Sequence, residues 1–236
     1  MKMFKRSIVF VIFFLLMASS ALGESPFPLR GIKPGKMILN GHYDDLKAKA
    51  IYTLTNETHK GKPCFRLIWD TATKKINILL WPDGSPINTH YEKPKEGVVV
   101  EIDYSSEGAN YKFTENGKTK TTKIRQKGLV EALAIDVLLM AFPFENRDKQ
   151  LVFYGIDADS DDGDVYKLYV KIDDVETVQI QGKKIEAYKI KLGLKGFVGI
   201  FAPTFYFWYS AEPPHEYLKY EGPKEGFIRQ SGVLAK

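Results

Sequence analysis

Leu129-Val130-Glu131-Ala132-Leu133-Ala134-Ile135-Asp136-Val137-Leu138-Leu139-Met140-Ala141 is apolar at eleven of its thirteen positions. It is long for a strand and too short to cross a bilayer, and Pro143 stands just beyond its end. The spacing predicts a helix over 129–141. A helix that is apolar on every face must be buried on every face.

On both sides of this segment the pattern is strand-like. Ala50–Leu54, Cys64–Trp69, Ile76–Trp81, Val98–Tyr104, Tyr111–Thr114 and Thr119–Arg125 precede it, and each is rich in β-branched or aromatic residues. Leu151–Ile156, Val165–Ile172, Glu176–Ile180, Ile185–Leu192, Thr204–Tyr209 and Gly226–Gln230 follow it. Asn116-Gly117 and Gln181-Gly182 stand between neighbouring runs and predict tight hairpins, because a type I′ turn needs positive φ at both central residues. Tyr188-Lys189-Ile190-Lys191-Leu192 alternates strictly, which marks a strand with one dry and one wet face. The expected fold is mainly β: a strongly curved antiparallel sheet or open barrel wrapped around one buried apolar helix. No repeat or linker divides it, so 37–236 is expected to be a single β-rich domain. The proline-bearing stretch 24–36 reads as an extended lead-in.

Residues 1–23 read as a secretory signal peptide. Lys2, Lys5 and Arg6 precede an apolar run from Ile8 to Met17, and Ala21 and Gly23 suit the −3 and −1 positions of a cut before Glu24. An uncleaved anchor is the rival, but its uncharged stretch is short for a bilayer. The expected location is periplasmic, with no integral membrane span after cleavage. The whole chain has 34 basic and 29 acidic residues. Three of the basic residues fall in the leader, so the mature chain is nearly balanced. That argues against a nucleic-acid partner, whose footprint is a strong basic excess.

Cys64 is the single cysteine, so no intrachain disulfide forms; in its strand-like run it reads as a small buried apolar residue. The four histidines lie far apart and lack metal-ligand spacing, and no nucleophile elbow, phosphate loop or dinucleotide fingerprint occurs. No catalytic, metal or cofactor residue is assigned, and a non-enzyme is expected. Asp157–Asp164 suggests a calcium loop, but an EF-hand register started at Asp157 puts Asp162 where glycine belongs and Leu168 where glutamate belongs. A solvated hairpin tip is the simpler reading, with weak calcium binding as the second.

Asp136 sits inside the apolar run, where an unpaired charge is costly. Glu131 lies about 140° away around a helix, near the amino end where the dipole favours it. Asp136 is either a structural carboxylate paired with an arginine or backbone donors, or a polar anchor in a ligand cavity. Residues 197–220 hold nine aromatics where a share of 13% gives about three. Five are consecutive, Phe205–Tyr209, so a strand there carries aromatics on both faces. One face suits the helix core; the other needs cover from further chain, an apolar ligand or a partner protein. The candidate ligand-binding residues are Asp136, Tyr206 and Trp208.

Phe207-Trp208-Tyr209, Glu212-Pro213-Pro214-His215 and Tyr217-Leu218-Lys219-Tyr220-Glu221-Gly222 together resemble the closing motif of a bacterial exported family known as domain of unknown function 3108. Glu176–Gly182 with Glu186–Ile190 resembles its paired-strand signature, and Ile135–Leu138 followed by Phe142-Pro143 is similar to its central segment. The likeness covers roughly Gly128–Gly232. It implies an exported, mostly antiparallel β domain with no established activity. The expected function is a periplasmic binding module for a lipid or other apolar envelope molecule. The alternatives are an envelope adaptor working through protein contacts, or a hydrolase with a carboxylate site.

Overall fold

Strands with one apolar face need a common interior, and here a single sheet supplies it. The computed structural model describes residues 25–29, 31–43, 46–196 and 202–232. The strands of the first half are β1 (Gly35–Tyr43), β2 (Leu46–His59), β3 (Lys62–Asp70), β4 (Lys75–Leu80), β5 (Pro86–Lys93), β6 (Val98–Ser105), β7 (Gly108–Glu115) and β8 (Lys118–Ile124). Those of the second half are β9 (Leu129–Val130), β10 (Gln150–Ile156), β11 (Val165–Ile180), β12 (Lys183–Leu194), β13 (Phe205–Ser210), β14 (Tyr217–Glu221) and β15 (Glu225–Gly232).

Their order across the sheet is β8-β7-β6-β5-β4-β3-β2-β1-β15-β14-β13-β12-β11-β10-β9. Among neighbours, β9 and β10 run parallel and the other pairs are antiparallel. The chain thus starts in mid-sheet, meanders out to β8, crosses to the far edge at β9, and meanders back until β15 pairs with β1. Both Asn116-Gly117 and Gln181-Gly182 are tight turns with positive φ at each central residue (50° and 78°; 53° and 78°).

The crossing segment lies inside. Residues 134–141 are all buried, and they share one core with inward residues of both halves, among them Tyr52, Leu54, Val100, Ile102, Ile190 and Phe207. The sheet is strongly curved but not closed: its far ends meet through side chains and not through a backbone ladder. Tyr111 of β7 donates its hydroxyl to the carbonyls of Ser160 (2.5 Å) and Ala158 (3.3 Å) in the β10–β11 loop. Tyr91 of β5 donates to Asp159 Oδ1 at 2.8 Å. The architecture is the expected one, mainly β and wrapped around a buried apolar helix.

The helix itself is shorter than expected. Leu129 and Val130 form β9, pairing with Tyr154 and Gly155, and only α1 (Ile135–Leu138) is α-helical. Single 3-10 turns at Ala132–Ala134 and Leu139–Ala141 flank it. Two local causes explain this. The exposed ladder of β10 offers the backbone of residues 129–130 better partners than a helix start would. Glu131 then caps the next turn by accepting the Leu133 N–H at 2.9 Å. At the other end Phe142, which precedes Pro143, is extended.

Other differences are local. β1, β5 and β14 were not among the expected runs, and Val165–Ile172 and Glu176–Ile180 are one strand, β11, with an irregularity between Ile172 and Asp174. The lead-in reaches the core: Phe27 and Leu29 are fully buried, and the Phe27 ring meets Phe153 edge-on at 5.3 Å. The expected signal segment 1–23 lies outside the described residues. Among the described residues no helix is long and apolar enough to cross a membrane.

Candidate functional site

Asp136 lies in the first turn of α1, and elements from both halves of the sheet hold it. Its own Oδ1 accepts the Val137 N–H at 2.9 Å, and Tyr52 of β2 donates its hydroxyl to the carboxyl group. From β13, Tyr209 donates its hydroxyl to the Asp136 carbonyl. Backbone and tyrosine donors therefore serve this carboxylate, and among the described residues no arginine or lysine pairs with it. Burial pushes its pKa up to about 6, against the lowering effect of those hydrogen bonds.

Glu131 does more than meet a helix dipole. Besides capping the Leu133 N–H it accepts the hydroxyls of Thr89 (β5) and Tyr104 (β6), the latter at 2.8 Å. It is 1% exposed, and burial outweighs these three donors, so its pKa is also raised. Glu131 therefore ties the start of the crossing segment to the β5–β6 side of the sheet. The sequence marked it only as an acidic residue near a helix start, because hydroxyl partners 42 and 27 residues away leave no trace in local pattern.

Between the crossing segment and the sheet lies a cavity of about 390 Å³. Leu133, Ile135 and Asp136 form one wall; Tyr52, Trp69 and Ile76 from the first half and Leu168, Leu192, Phe205, Phe207 and Tyr220 from the second form the rest. Lys74, Asp157, Asp159 and Glu225 also line it, and the exposed residues Pro203, Tyr166 and Asp159 mark where it meets solvent. Trp69 stacks on Tyr52 at 5.3 Å, and its buried indole N–H has no hydrogen-bond partner among the described residues. The volume falls within the roughly 300–1,000 Å³ of small-molecule sites, at the small end.

Of the candidate ligand-binding residues, only Asp136 lines this cavity. Strand alternation sends Phe205, Phe207 and Tyr209 inward, and Tyr206 and Trp208 to the opposite face. There Trp208 packs with Ile180, Ala187 and Leu218 in a second small core, with Val178, Ile185 and Tyr206 against it. Beyond the irregularity at Asp173, the β11–β12 hairpin provides this cover. Trp208 is 2% exposed and donates its N–H to Glu176 Oε1 at 2.6 Å. Lys219 lies 4.3 Å from its ring centre and Lys189 4.6 Å from that of Tyr206. The second aromatic face is thus sheathed by the chain's own hairpin. Phe197 and Phe201 lie outside the described residues.

The acidic loop 157–164 is a hairpin connection, but not a freely solvated one. Ala158 is buried, and Lys93 reaches Asp159 at 2.8 Å while Lys120 pairs with Asp161 and Asp162. Burial opposes the charge on Asp159, yet Lys93 and Tyr91 hold its pKa below the usual range. Among the described residues no group of three or more His, Cys, Asp or Glu is placed to hold a metal ion. Cys64 is buried with Leu79 and Ile87, and burial pushes its thiol pKa up.

No family model matches the chain, and no curated protein does. Among solved structures it is similar to the β-barrel-like protein of domain of unknown function DUF1849 from Brucella abortus, at a TM-score of 0.53 and 12% identity, over 86% of this chain and 98% of that one. At that identity the likeness is one of fold. It extends over both halves of the sheet, which supports reading them as one architecture.

Proposed function

We propose that the chain is an exported, non-enzymatic binding module whose curved sheet holds a small apolar or amphipathic molecule against the crossing helix. The cavity beside Asp136 carries this reading. A sheet wrapped on a helix has no need of such a space for stability, since empty apolar volume forfeits packing. The wall is largely aromatic and aliphatic with one buried carboxylate, the usual composition of a small-ligand site. Export and a periplasmic location rest on the leader-like residues 1–23 and on the motifs that resemble those of domain of unknown function 3108.

An adaptor acting through Phe205–Tyr209 finds less support, because the β11–β12 hairpin already covers the outer face of that strand. Native mass spectrometry of gently purified protein should show a bound small molecule, and a hydrophobic dye should bind the emptied protein. Replacing Leu133 in the cavity wall by Trp should abolish both signals while leaving the circular dichroism of the sheet unchanged. A folded Leu133→Trp protein that binds dye as before would place the site elsewhere.

A further inference from the structure

The charges around the cavity are lopsided. Among the described residues, four carboxylates line it, those of Asp136, Asp157, Asp159 and Glu225, against one ammonium, that of Lys74. Three of the four already have partners near the mouth: Asp159 is held by Lys93 and Tyr91, Glu225 accepts the Tyr220 hydroxyl at 3.0 Å, and Asp157 Oδ1 accepts the Asp159 N–H at 2.9 Å. Asp136 is different. It is the most buried of the four, at 6% exposed, and its donors are a tyrosine hydroxyl and backbone amides, with no cation among the described residues. The rings of Tyr52, Trp69, Phe205, Phe207 and Tyr220 line the same cavity.

Resting on the binding reading above, we propose that the occupant is an amphipathic amine, with a cationic nitrogen set against Asp136 and an apolar body along Leu133, Leu168 and Phe207. Three features select this chemistry. An ammonium brings up to three donors and a charge to a buried carboxylate that no cation meets among the described residues. Aromatic faces attract a cation, and desolvation strengthens that attraction. A fatty acid presents the wrong charge both at the acidic mouth and at Asp136, and like charges brought together in a poorly solvated site exclude it. A neutral alcohol fits the space but gains only a single hydrogen bond. At about 30 Å³ per water-sized volume, a cavity of about 390 Å³ suits a short single-chain molecule and not a diacyl lipid.

The test compares decylamine, decanol and decanoate, each below its micelle concentration, on the purified chain by calorimetry or native mass spectrometry. Decylamine should bind at least about tenfold more tightly than decanoate, with decanol between them. In Asp136→Asn the advantage of the amine over decanol should shrink to about twofold or less. Decanoate binding as well as decylamine, or Asp136→Asn keeping the full advantage, overturns the proposal and leaves the cavity reading standing. Binding of none of the three overturns the cavity reading itself. Should Asp136→Asn not fold, Glu225→Gln at the mouth serves instead: it should weaken decylamine about threefold and leave decanol unchanged. Equal effects on both probes would count against the amine.

Discussion

Asp136 carries a cost that the fold accepts, and its sign can be worked out. Its folded-state pKa is raised from 3.8 to about 6. Between those values the folded protein therefore holds a proton that the unfolded chain has released. Stability contributed by this group is complete below the lower value and is lost as pH rises through the upper one. The loss amounts to about 3 kcal/mol by pH 7. Asn at this position does not titrate, and its amide oxygen can still accept from Tyr52 and Val137. The urea midpoint of Asp136→Asn relative to wild type should thus climb between pH 3 and pH 7, by an amount equivalent to about 3 kcal/mol. Parallel pH profiles of the two proteins would show that Asp136 is not titrating in that window. Glu131, whose pKa is also raised, is present in both proteins and does not enter the difference.

Two glycines show how differently the same residue type serves strands and turns. Gly117 has φ +78°, and an added Cβ would meet nothing within 4 Å. Gly117→Ala should therefore cost only the left-handed backbone strain, about 1–2 kcal/mol by chemical denaturation. Gly41 in β1 has ordinary strand φ, but a Cβ there would sit 1.8 Å from the backbone carbonyl oxygen of Gly226. The β1–β15 ladder would have to part to admit it. Gly41→Ala should destabilise by more than about 4 kcal/mol or prevent folding altogether, and a thermal midpoint near wild type would disprove the close approach. Asn116-Gly117 was legible as a turn because both of its residues tolerate positive φ. Gly41 was not, since the backbone it must avoid lies far along the chain.

The β1–β15 pairing also decides how the molecule holds together. It joins the meander β1–β8 to the returning meander, so segments near the two ends of the described chain form the middle of the sheet. Removing residues 223–236 would take away β15 and leave β1 and β14 each with an open ladder. Such a chain should show no cooperative thermal transition and no dispersed amide spectrum. A folded truncated protein would mean that the two meanders are stable apart. The dispersed pairing also predicts slow folding, since its decisive contacts close long loops first.

What could be read from residue order was whatever repeats at short range. Alternation in Tyr188–Leu192, the Asn-Gly and Gln-Gly turns, and the unbroken apolarity of 129–141 were enough to give a curved sheet around a buried segment, because burying a face is a demand each element makes on its own. Partners were not legible in the same way. β5, with Asn88, Thr89, His90 and Glu92 in its span, shows no strong strand pattern and forms between β4 and β6 because those neighbours offer ladders on both sides. Trp208 and Phe207 are adjacent in sequence and alternation puts them on opposite faces, but only the tertiary structure decides that the outer one lies under the β11–β12 hairpin and the inner one lines the cavity. The same holds for Asp136: a carboxylate in a greasy run announces a cost, but whether Tyr52, an arginine or a ligand meets it depends on which distant strand the fold brings within hydrogen-bonding reach.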